Sequence, residues 1–160
     1  MANDKDTKKN YAKRDSYALA FGMISTAIHH NFPLQAIAVE ESIISDRIWS
    51  ALNASRTTGG TKETLGKAID EWKRLLQSGI KSPLGDEAEA MRGDIENWYS
   101  RRNRAIHGIV KSFRGNPPLT AAANFERVAM GAARAGAELA RNVCNWSHKQ
   151  IRKARKVGVK

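Results

Sequence analysis

An all-α fold, an antiparallel bundle of four to five helices, is what this sequence predicts. Apolar residues recur at spacings of three and four along most of the chain, the signature of one buried face per helix. Polar segments bearing Gly or Pro cut that pattern into pieces, and no useful length of it alternates as a strand does.

The first helix carries Tyr17, Phe21, Ile24 and Ile28 on one face. His29-His30-Asn31 ends it, and Pro33 suits the first turn of the second helix, whose stripe is Ile37, Ile44 and Ile48 with Glu41 in its middle. Asn53 to Gly60 reads as a break, after which Thr61 can cap a third helix bearing Leu65, Ile69, Trp72 and Leu76. Gly79 to Gly85 is the next turn, and Asp86 with Glu89 forms a capping-box pattern for a fourth helix. That helix turns Ala88, Met91, Ile95 and Trp98 inward and is expected to bend or stop near Gly108. Gly115 to Pro118 reads as a loop. Thr120 can cap a long last helix with Phe125, Val128, Ala132, Leu139, Val143 and Trp146 inward. Its small residues Gly131, Ala132, Ala135 and Gly136 permit a neighbouring helix to approach closely.

At 160 residues the chain suits one domain. Residues 1–14 form an N-terminus expected to be polar and flexible, 15–146 the bundle, and 147–160 a basic helix end or tail. The net charge of +11 and a pI near 10.1 favour polyanionic partners. Cys144 is the only cysteine, which rules out an internal disulfide and a multi-cysteine zinc cage; a reducing cytoplasm is the expected setting. Tyr17 to Ile28 resembles the apolar core of a secretory signal only superficially, because Asp4, Asp6 and Asp15 precede it and Gly22, Ser25 and Thr26 dilute it. It is also well short of the roughly 20 residues that a membrane span needs, and the basic C-terminal helix end lacks the bulky apolar face of a peripheral membrane helix, so no membrane association is expected.

Chemistry concentrates in Trp98-Tyr99-Ser100-Arg101-Arg102-Asn103-Arg104-Ala105-Ile106-His107-Gly108. Continuing the inward stripe past Trp98 lands on Arg102, a costly place for a cation unless a partner or a cleft receives it. Asn103 and His107 are four apart and lie side by side. RNA is cleaved without a metal when its own 2′-hydroxyl attacks the adjacent phosphorus. A group titrating near neutrality must then move the proton, and a fixed cation must steady the charged intermediate. His supplies the first and Arg, with its planar fork, the second.

Arg102-Asn103-x-x-x-His107 resembles the Arg-x4–6-His signature of the HEPN superfamily, including the polar residue often found after the Arg. The resemblance covers these few residues in sequence and most of the chain as architecture. It implies a homodimer with the two Arg-His sets in a cleft between protomers, and metal-independent endoribonuclease activity with no cofactor. It also implies a toxin, anti-phage or RNA-processing role, with a cognate antitoxin among the partners such systems carry. On it, Arg102 steadies the phosphate, His107 is the acid/base group and Asn103 supports them. Some members carry a Tyr two residues after the His, which a partner nucleotidyltransferase modifies; Ile109 stands here, so that control is not expected. Arg102 and His107 lie about 140° apart on an ideal helix, which favours a site shared by two subunits.

Glu41 is the expected carboxylate partner of Arg102, either as a purely structural ion pair or as the group holding it in its working pose. Arg101, Arg104, Lys149, Arg152, Lys153 and Lys156 are the candidate RNA-binding cations, the last four sharing one face of the basic tail. Two rival readings use the same charge: a non-catalytic basic RNA- or DNA-binding bundle, and a catalytically inactive HEPN regulator. His29-His30 does not make a metal pair, since adjacent helical residues diverge by about 100°. Gly59-Gly60-Thr61-Lys62 lacks the ordered phosphate-loop pattern and reads as a loop. Cys144 is read as an inert core residue. Trp72, Trp98 and Trp146 are read as core or interface anchors rather than a base-stacking platform.

Overall fold

The computed structural model describes residues 4–54, 64–77, 87–110 and 118–156. Within them the chain forms five helices and no strand: α1 (Asp4–His29), α2 (Pro33–Ala54), α3 (Leu65–Gln77), α4 (Glu87–Val110) and α5 (Pro118–Lys156). None of these is long and apolar enough to cross a membrane. The Asn53–Gly60 break (beyond Ala54), the Gly79–Gly85 turn, Thr61 and Asp86 lie outside the described residues, as does the Gly59–Lys62 run.

α2 is the central helix, packing most extensively against α5 and also against α1, α3 and α4. Its stripe of Ile37, Ile44 and Ile48 is fully enclosed, as are Ile24 of α1, Leu65 and Trp72 of α3, Ile95 of α4 and Val143 of α5. The Trp72 and Trp146 indoles stack at 4.7 Å and 17°, joining α3 to α5. At 39 residues α5 is about 58 Å long and forms one wall of the bundle.

The α1–α2 corner follows from its sequence. Phe32 N–H donates to the Ala27 carbonyl at 2.8 Å, and Asn31, at φ 60°, donates to that of Ile28 at 3.3 Å. This is a Schellman cap with Asn in the left-handed position, and Pro33 opens α2 directly after it.

α1 starts at Asp4 and so takes in residues 4–14, where Lys13 meets Asp46 of α2 at 3.2 Å. Two helix starts, those of α3 and α5, differ from expectation. Thr64 rather than Thr61 caps α3, its hydroxyl 3.5 Å from the Lys67 N–H. α4 ends at Val110, two residues past Gly108, near where a stop was expected. α5 begins at Pro118, whose fixed φ and missing N–H suit a first helical position better than the expected loop. Val128, expected inward, is exposed.

Candidate functional site

Arg102 reaches from α4 towards α2. One Nη donates to the Glu41 carboxylate and the other to Asn103 Oδ1 at 2.7 Å, while the guanidinium lies 5.8 Å from the centre of the Tyr99 ring. The pair is neither sealed nor free: Arg102 and Glu41 side chains are 21% and 25% exposed. Partial burial strengthens the ion pair relative to a surface one, and the two hydrogen bonds fix the plane of the guanidinium. Arg102 Nε is buried and meets no acceptor among the described residues. Asn103 therefore uses its amide oxygen on Arg102 and does not spend it on His107.

His107 is exposed on α4. Because α4 stays helical through Val110, the expected bend is absent and His107 keeps its offset of about 140° from Arg102. One protomer thus does not bring the two together; Asn103, bonded to Arg102 and one turn before His107, lies between them. Arg101 and Arg104 project on another flank of α4, where they line a groove of about 370 Å³ with Arg127, Val128, Gly131 and Ala132 of α5. Arg104, three residues before His107, is its neighbouring cation on the helix surface.

The carboxylate at the heart of this region is one that the sequence reading missed. Glu40, not Glu41, is the fully buried acid of α2, with 0% exposure. Both of its oxygens lack a hydrogen-bond partner among the described residues, and burial pushes its pKa up to about 8. The carboxyl packs against the bare backbone of Gly136. A Cβ there would overlap it and lie 2.6 Å from Trp98 Nε1, whose N–H donates to the Ala132 carbonyl at 3.0 Å. Glu40 is three residues after Ile37 and four before Ile44, so the stripe spacing fits it as well as Glu41. The small residue at Gly136 was the available signal.

The C-terminal cations lie on α5, where their spacing gathers them on one face. Lys149, Arg152, Lys153 and Lys156 are all exposed, but Lys149 points towards Glu87 at 3.8 Å, whereas Arg152 lines a second groove with Arg155 and residues of α1 and α2. His29 and His30 are exposed, and no group of three His, Cys, Asp or Glu among the described residues could hold a metal ion. Cys144 is half-buried, and burial raises its thiol pKa, as an unreactive protonated thiol requires. Trp72, Trp98 and Trp146 are buried core residues.

The chain matches no family model, no curated protein and no solved structure.

Proposed function

We propose that the chain is a metal-independent endoribonuclease of HEPN type that acts as a homodimer. The observation that carries this reading is an Arg102 fixed by Glu41 and Asn103, with an accessible His107 five residues on in the same helix. In the proposed reaction the 2′-hydroxyl of RNA attacks the adjacent phosphorus as the bond to the 5′-oxygen breaks. His107 moves the proton, and Arg102 steadies the charge gathering on the phosphoryl oxygens. The products are a 2′,3′-cyclic phosphate and a free 5′-hydroxyl. Arg101, Arg104 and Arg127 offer the approaching backbone three more guanidinium groups. The angular offset of Arg102 from His107 supports a site in which each subunit contributes one of the two. A toxin or anti-phage role, with a cognate antitoxin, belongs to the same reading and rests on the motif's resemblance alone.

A second reading is favoured by the Arg102–Glu41 pair itself, since a purely structural cation is satisfied in the same way. Under it the protein binds RNA or DNA through its basic surface, as a separate binding protein or an inactive HEPN regulator, and cuts nothing. One experiment separates the two. Labelled single-stranded RNA is incubated with purified protein in EDTA, beside Arg102→Ala and His107→Ala. The nuclease reading expects cleavage to cyclic-phosphate ends by the wild type, reduced about a hundredfold or more in each variant. Equal cleavage by all three identifies a contaminant and sinks the reading; salt-sensitive binding without product supports the second.

A further inference from the structure

The second groove lies at the other end of the bundle and owes nothing to the motif. α1, α2 and α5 border a space of about 540 Å³ that, among the described residues, is lined by five permanent cations, Lys13, Arg14, Arg47, Arg152 and Arg155, and by no carboxylate. The nearby acid, Asp46, is already engaged by Lys13 at 3.2 Å, by Arg47 at 2.8 Å and by the Tyr17 hydroxyl at 2.5 Å. Arg47 is buried and anchored: its backbone carbonyl accepts from Ser147 at 3.0 Å, and its guanidinium lies 4.7 Å from the Tyr17 ring centre and 3.3 Å from His148 Nε2. Asp46 thus relieves Lys13 and Arg47, but Arg14, Arg152 and Arg155 face the same concavity without an ion pair among the described residues, an arrangement that an incoming anion would relieve.

The ligand's chemistry follows from what the groove does and does not present. Its two aromatic rings are each already engaged by a cation, Tyr17 by Arg47 and Phe21 by Arg141 at 5.5 Å, so the groove offers guanidinium groups more than open stacking surface. Recognition there is by charge. A lipid surface fits poorly: the exposed apolar residues of α1, Leu19 at 68% and Met23 at 53%, point about 150° away from its groove residues around the helix. We propose that this groove is a phosphate-binding site that grips the phosphodiester backbone of RNA, without regard to sequence and remote from the Arg102–His107 motif. The partner, though not the groove's affinity for phosphate, rests on the RNA reading above. The nearest α5 residues of the two grooves, Ala132 and Cys144, are 12 residues apart and thus about 18 Å along its axis, so the two basic grooves are separate contacts.

The groove carries its own reporter. Burial, followed by the charges of Arg47, Arg152 and Lys13, holds the His148 pKa below its ordinary value. A phosphate entering among those cations offsets their repulsion, so the His148 pKa rises on binding. The test uses 2′-O-methyl RNA of about 20 nucleotides, which engages phosphate contacts but has no 2′-hydroxyl to attack. With about 0.7 units of log–log salt slope per contact on a single strand, Arg152→Ala/Arg155→Ala should lower the slope by about 1.4 and weaken binding about twentyfold at 0.1 M salt. The control Arg74→Ala/Arg134→Ala removes the same charge from exposed sites outside the groove and should change affinity less than about threefold. NMR titration of His148 should show its pKa rising when the RNA binds. Equal losses in the two double variants, an unmoved His148, or groove-dependent binding to phosphatidylserine vesicles with none to RNA each overturn the proposal. Because the probe cannot be cut, an absence of nuclease activity leaves this result readable by itself.

Discussion

Glu40 and Glu41 are neighbours in sequence with opposite fates. Glu41 is partly exposed and spends its charge on Arg102; Glu40 is enclosed with no partner among the described residues and keeps its proton to about pH 8. The consequence for stability has a definite sign. Between the ordinary value of 4.5 and about 8, the folded chain holds a proton that the unfolded chain releases, so stability is full below that window and falls as pH rises through it. The slope from this one group approaches about 1.4 kcal/mol per pH unit. Glu40→Gln keeps the shape and removes the ionisation, so its stability relative to wild type should increase steadily from pH 5 to pH 8 in urea denaturation. Taking the difference between the two proteins cancels His148, whose depressed pKa pulls the other way. A constant difference across that range would show that Glu40 ionises normally. The periodicity of α2 revealed that an acid sits in its stripe but not which one. The choice is made by α5, which presents bare backbone to Glu40 at Gly136.

At the scale of elements, all five helices were legible because each has an apolar face that only a helical spacing gathers. The buried stripes of α2 and α3 are those the periodicity picked out, and the Asn31–Pro33 corner was readable from its residues. The ends were less legible, since caps compete locally: Thr64 and Thr61 are equally good cap residues, and packing of Leu65 decides between them. The α2–α5 contact, the most extensive in the bundle, depends on the close approach at Gly136. Gly136→Ala should therefore destabilise the fold by about 1–3 kcal/mol through overpacking, despite the better helix propensity of Ala. Gly131→Ala, where an added Cβ meets nothing, should be neutral or slightly stabilising. Thermal melts of the two variants give the comparison, and an unchanged melting temperature for Gly136→Ala would count against a tight α2–α5 seam.

For the whole molecule, both the motif's residues and their separation of about 140° around α4 were legible, and the proposed shared site follows from that separation. A shared site makes a sharp demand on mixtures. Arg102→Ala and His107→Ala, each inactive alone, should recover activity when co-refolded. Random pairing by twofold symmetry gives about one intact site in four. Recovery measured as cyclic-phosphate product would establish sharing, and its absence with heterodimers verified by mass would place both residues in one protomer. The charge grooves were legible only as net charge, since Lys13, Arg47 and Arg152 are scattered in sequence and meet through the packing of three helices. The stacked pair of Trp72 and Trp146 has an optical consequence as well. Two indoles 4.7 Å apart and nearly parallel are close enough for their electronic transitions to couple, which gives the α3–α5 junction a near-ultraviolet circular dichroism band of its own. The docking of the short helix can thus be timed during refolding, separately from the growth of helical backbone, by a wavelength the protein already provides.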